Sequence, residues 1–175
     1  MAVLGDGFDD HFDGDDLDRK VWFPHYLPAW SSRAETAATY EVHDSCLRLS
    51  IPPAQGLWCA GDHEPPLRVS GVQTGSWSGP FGSTRGQQPY REGLVVREEQ
   101  PLFLGWTTGP GWIEVTARAE VTPRSMVSAW LVGLEDEPER CAEICVFEVF
   151  GDAVDPGRSA AVGAGLHAFR DPGVV

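Results

Sequence analysis

The sequence predicts an all-β fold, most simply a two-sheet sandwich, and three observations carry that expectation. Apolar and polar residues alternate with a period of two in several segments. Gly 20 and Pro 14 in 175 residues suit short strands joined by turns better than a helical bundle. No segment sustains a helical period bounded by caps. With 42% hydrophobic residues, the chain can bury a real core, and a single domain over 1–175 is expected.

The elements follow in chain order. Residues 8–30, FDDHFDGDDLDRKVWFPHYLPAW, open as an acidic, turn-rich piece and end in aromatics. In ATYEVHDSCLRLSI, Tyr40 and Val42, then Leu47, Leu49 and Ile51, sit two apart around His43-Asp44-Ser45, the pattern of a hairpin. Residues 71–93, rich in Gly, Ser and Gln, read as a long surface loop plus an edge strand. GWIEVTARAEV, 111–121, alternates Ile113, Val115, Ala117, Ala119 and Val121 against polar neighbours, so a strand with one core face is expected. SMVSAWLVGL, 125–134, is more continuously apolar, as for a strand buried on both faces. EDEPER is a polar turn, CAEICVFEVF the next strand, and SAAVGAGLHAF, 159–169, a last one whose small residues allow close approach.

The net charge is −13 and no Lys/Arg-rich run exists, so neither nucleic acid nor an anionic membrane surface is an expected partner. A neutral partner, such as a polysaccharide or oligosaccharide, meets no conflict. No apolar run approaches the ~20 residues of a membrane span. MAVLGDGFDDHFDG lacks a secretory leader's basic and apolar regions, so a cytoplasmic location is expected unless a leader has been removed. Cys46, Cys59, Cys141 and Cys145 show no zinc-finger or CxxC spacing and are expected as buried free thiols, with no metal at the site. A Cys141–Cys145 bridge along one strand would have to span ~13 Å.

The chemistry concentrates in RCAEICVFEVFGD. Alternation puts Cys141, Glu143 and Cys145 on one strand face and the apolar Ala142, Ile144 and Val146 on the other, which suits the core. Glu148 stands five residues after Glu143, an odd offset that would turn it into that core, at a cost of several kcal/mol for a lone carboxylate. One extra residue at Val146-Phe147, a β-bulge, returns Glu148 to the face of Glu143. Phe150 and Asp152 then follow on the same side. Two carboxylates so placed are what a retaining glycosidase uses, at about 5–5.5 Å apart. The plain alternative is a strand carrying two exposed edge glutamates.

With these residues, EICVFE resembles the signature of family-16 glycoside hydrolases, the laminarinase and β-glucanase group: Glu, an aliphatic, Asp, two residues, Glu. FDDHFDGDDLDRKVW is similar to that family's N-terminal strand and turn, GWIEVTARAEV and SMVSAWLVGL to its paired strands, and GLHAF to the strand that presents a histidine to the cleft. Residues 52–92 match little beyond position. The resemblance implies a concanavalin-like β-jelly roll with a concave sheet for polysaccharide. It implies Glu143 as nucleophile, Glu148 as general acid/base, His167 near the cleft, and Trp130 as the second tryptophan of a Trp-Pro-Ala-x-Trp segment.

Three departures stand out. Cys145 replaces the signature's aspartate, and a thiol is a weak, uncharged donor at its usual pKa of ~8.5. Met126 stands where the first tryptophan is expected. The family continues with several strands beyond the equivalent of Val175, so a jelly roll lacking its C-terminal strands is expected.

Trp58, Trp77 and Trp106 lie among Gly, Pro and Ser and are candidate stacking platforms for sugar rings, with Arg85 as a donor to hydroxyls. Glycoside hydrolysis of this kind requires no cofactor, while FDDHFDGDD offers oxygen ligands for a structural calcium ion. The reading is thus a retaining, endo-acting glycoside hydrolase on a β-linked polysaccharide, with β-1,3-glucan as one substrate class. The alternatives are a catalytically impaired or purely carbohydrate-binding protein on the same fold and, third, an assembly protein without glycan affinity.

Overall fold

Turn chemistry decides the first hairpin. Asp44 and Ser45 both take left-handed backbone (φ 53 each), the conformation of a two-residue type I′ connection, which matches the twist of its strands. Strands β1 (Thr39–His43) and β2 (Cys46–Ser50) pair across it with Tyr40 opposite Leu49 and Val42 opposite Leu47, as the alternation predicts. The structure is a computed structural model that describes residues 7–137 and 140–168. Its chain forms two units, Met1–Pro110 and Gly111–Val175. Among the described residues no helix is long and apolar enough to cross a membrane.

In the first unit the acidic stretch serves as acceptors for its surroundings. Asp10 accepts the Trp22 indole N–H at 2.6 Å, and Asp13 accepts the Ser45 hydroxyl at 2.7 Å. Asp16 accepts the Tyr40 hydroxyl, which holds its carboxyl below the usual range. One helical turn, α1 (Arg33–Thr36), starts at Ser32, whose hydroxyl accepts from the Glu35 N–H at 3.1 Å. The short strands β3 (Gly75–Ser76) and β4 (Phe103–Leu104) pair, and the rest of 71–93 is mainly loop.

The core of this unit gathers around Trp30, which is fully buried with Leu27, Ala29, Trp58, Cys59, Val69, Leu94 and Val96. The Trp30 indole donates to the Gln87 carbonyl at 2.7 Å. Trp58, a candidate sugar platform by sequence, is core: it is 3% exposed, and Tyr26 and Tyr90 pack on its ring at 5.5 and 5.0 Å. Its Gly/Pro surroundings reflect tight turns, not exposure. Beside this cluster Asp62 takes a two-toothed bond from Arg91, with Nη2 at 2.7 and 2.9 Å from its oxygens, and a further bond from Arg97 at 2.8 Å.

The second unit holds β5 (Met126–Val132), β6 (Glu143–Phe150), β7 (Val154–Asp155), β8 (Ser159–Ala160) and β9 (Gly163–His167). β7 and β8 form a small hairpin, and β5-β6-β9 is an antiparallel sheet in that order. Three expectations need correction here. Residues 111–121 alternate but form no ladder, and Trp112 is 87% exposed. Alternation reports how side chains would be divided, whereas a strand also needs a partner edge. β5 is half-buried along most of its length, not sealed on both faces. The apolar face of β6 is not its buried one: Ile144 is 48% exposed, while Glu143 and Cys145 are buried. Position 169, the end of the last expected strand, lies outside the described residues.

Two outcomes follow for the first unit. A Cβ added at Gly86 would stand 2.8 Å from the Trp30 ring, so Gly86→Ala overpacks the core. It should cost about 1–3 kcal/mol, read as a lower urea midpoint at unchanged slope. Arg91, through its hydrogen bonds, holds the Asp62 carboxyl below its ordinary value. A depressed folded-state pKa stabilises above the unfolded value of ~3.9 and loses that stabilisation as pH falls through the folded value. Asp62→Asn should therefore lower the melting temperature at pH 7, and the gap to the wild type should narrow as the pH falls below the unfolded value of ~3.9.

Candidate active site

The extra residue that the odd spacing demands is present. Trp130 pairs with Cys145 and Ala129 with Phe147, so Val146 is the additional residue opposite β5. On the other side Cys145 pairs with Gly165 and Glu148 with Gly163, so Val146 and Phe147 of β6 stand against the single Ala164 of β9. The bulge thus interrupts both ladders of the central strand at one place.

Cross-strand partners share a face, so the register lays out one continuous surface. Its first row is Val132, Glu143 and His167, and its second is Trp130, Cys145 and Gly165. Ser128, Glu148 and Gly163 form the third, and Met126 with Phe150 the fourth. Glu148 confirms its side by accepting the Trp130 indole N–H at 3.0 Å. The glycines of β9 keep the floor low: a Cβ at Gly165 would meet nothing within 4 Å. The close approach that the small residues suggested is not seen at Gly165, and at Gly163 a Cβ would stand 3.6 Å from Glu148, an ordinary contact.

Cys145 lies between the carboxylates. Its thiol donates to Glu143 Oε1 at 3.0 Å. Burial foremost, then the hydrogen bond to Glu143 and the negative charge of Glu143 and Glu148, push the thiol up to about 12. At neutral pH it is therefore an uncharged donor. A second thiol–carboxylate contact, Cys141 Sγ to Glu135 Oε2 at 3.8 Å, lies buried toward the turn before β6.

The sheet thus brings together Glu143, Cys145, Glu148, Trp130 and His167 from separate sequence segments. Trp77, Arg85 and Trp106 belong to the first unit. There Arg85 stacks over the Trp77 ring at 5.0 Å, and Trp106 packs against Phe8 with ring centroids 5.0 Å apart. Sequence reasoning missed Ser128, which the register sets opposite Glu148. It also missed that Glu143, Cys145 and His167 each bring a donor atom to within 4.8 Å of the others. Spacing rules find ligands along one segment, whereas His167 arrives by strand pairing.

Thiol labelling checks the burial. Of the four cysteines only Cys46 is exposed. An aromatic disulfide reagent at pH 8 should titrate one thiol per native chain, none in Cys46→Ser, and four in the unfolded wild type; rapid native labelling of a second thiol would contradict the geometry.

No protein-family model and no curated protein sequence matches the chain. Among solved structures it is similar to the GlcNAcα1-4Gal releasing endo-β-galactosidase from Clostridium perfringens, with 26% identity and a TM-score of 0.64. The likeness covers 95% of this chain and 44% of that one, so this chain spans less than half the length of that enzyme's. The all-β jelly-roll class read from the sequence stands, and the fold is similar to that of a glycoside hydrolase.

Proposed function

We propose that the chain is a retaining, endo-acting glycoside hydrolase of the family-16 type, cleaving within a β-linked glycan. The observation that carries this reading is the bulge, which sets a buried Glu143 and a half-buried Glu148 on one sheet face with Cys145 in contact with Glu143. In this scheme the Glu143 carboxylate attacks the anomeric carbon while Glu148 protonates the departing oxygen, giving a covalent glycosyl-enzyme. Glu148 then takes a proton from water, which displaces the sugar from Glu143. The Trp130 indole N–H holds Glu148 in place, and His167 flanks Glu143. The glycine floor admits a sugar ring over the carboxylates. The family resemblance points to β-1,3-glucan, and the endo-β-galactosidase neighbour points to an internal β-galactoside.

A second reading has its own observation. Cys145 occupies the position of the family's aspartate and stays a neutral thiol, so one charge near the nucleophile is missing. On this reading the face binds carbohydrate without turning it over.

Reducing-end release from laminarin, lichenan, agarose, carrageenan and a GlcNAcα1-4Gal-terminated β-galactoside decides between them. Hydrolysis predicts release from at least one, cut by about 10²-fold or more in Glu143→Gln and Glu148→Gln. It also predicts a faster Cys145→Asp variant. No release from any substrate would sink the hydrolase, and calorimetric glycan binding indifferent to Glu143→Gln would establish the binding protein.

A further inference from the structure

We propose that Glu143, Cys145 and His167 form a site for a zinc-class divalent ion, which silences the carboxylate pair when bound. One donor atom from each side chain lies within 4.8 Å of the other two. Two come from β6 two residues apart, and the third from the residue that pairs directly with Glu143 across the sheet. The set is therefore fixed by the ladder and not by a loop. Metal bonds of about 2.0–2.3 Å put tetrahedral donors about 3.5 Å apart, so closing on an ion needs the donor atoms to draw together by roughly an ångström.

The donor types choose the ion. A thiolate, an imidazole and a carboxylate are the set of zinc and its neighbours, whereas calcium and magnesium take oxygen ligands. On binding, the thiol proton leaves to solvent and the sulfur takes the metal bond in its place. A water can complete the fourth position, because Gly165, opposite Cys145, brings no side chain and a Cβ there would meet nothing within 4 Å. Glu143 and Cys145 are buried and His167 is exposed, so the histidine edge is the route by which an ion arrives. An ion held here engages the carboxylate assigned to nucleophilic attack and excludes the sugar. The silencing rests on the hydrolase reading; the binding does not.

Cobalt(II) is the probe, because a thiolate ligand gives it a near-ultraviolet charge-transfer band that reports the sulfur directly. Chelator-stripped full-length chain should bind one equivalent of Co²⁺ with that band, and Zn²⁺ should displace it. Cys46→Ser should keep the band, Cys145→Ser should lose it while retaining the wild-type circular dichroism, and His167→Gln should weaken affinity at least tenfold. Absence of the band in the wild type overturns the site. So does a band that survives Cys145→Ser, or an affinity unmoved by His167→Gln, which also decides the matter should Cys145→Ser not fold. A cobalt band with no hydrolysis of any glycan keeps the site and defeats the hydrolase reading. Hydrolysis that ignores Zn²⁺, with no band, does the reverse.

Discussion

The candidate site depends on one irregularity, the extra residue at Val146 in β6. Without it Glu148 would share a face with Ile144 and Leu166, and Glu143 would have no second carboxylate beside it. The bulge breaks the ladders to both neighbours at once, so no edge strand can absorb it. The face it leaves is the exposed one, Ile144 being 48% and Leu166 56% exposed, so the bulge does not relieve a buried charge; what it supplies is a second carboxylate on the face of Glu143. The same shift brings Trp130 into reach of Glu148 and Gly163 opposite it.

Cys145 gains its importance from this arrangement. On the site face it lies between two acids, buried, with Glu143 accepting from its sulfur. A carboxylate in that place would add a third negative charge to a desolvated cluster and would need a proton or a cationic partner. The thiol avoids that repulsion and still donates. It also brings a soft ligand atom next to a carboxylate and an imidazole. The substitution that weakens the case for hydrolysis is therefore the one that creates affinity for a metal.

Much of this was legible from sequence, for identifiable reasons. An odd spacing puts both glutamates on one face only if the strand bulges, and the bulge is present, although the face that alternation assigned to the core is the exposed one. The Asp44-Ser45 hairpin was legible because the alternation on either side of the turn fixes its register. What sequence could not carry was partnership. Residues 111–121 alternate well yet find no ladder, and Ile144 has the pattern of a core residue yet is exposed. Trp58 failed differently: its neighbours look like a loop, but its ring is held by Tyr26 and Tyr90. His167 was placed near the cleft through family resemblance, and only strand pairing sets it opposite Glu143.

The two carboxylates are not equivalent, and their difference fits the proposed division of roles. Glu143 is buried at 8% exposure and tied to a neutral thiol beside it. A nucleophile benefits from such confinement, because attack at the anomeric carbon demands a fixed position more than exchange with solvent. Glu148 is half-buried, beyond the bulge, with an indole N–H holding one oxygen and a glycine across from it. An acid/base residue must receive and return a proton in each cycle, so it needs one oxygen anchored and a path to water or to the leaving group. Reversing the roles would ask the enclosed residue to trade protons and the open one to stay still. The bulge lies between the two carboxylates, with the buried Glu143 on one side of it and the half-buried Glu148 on the other.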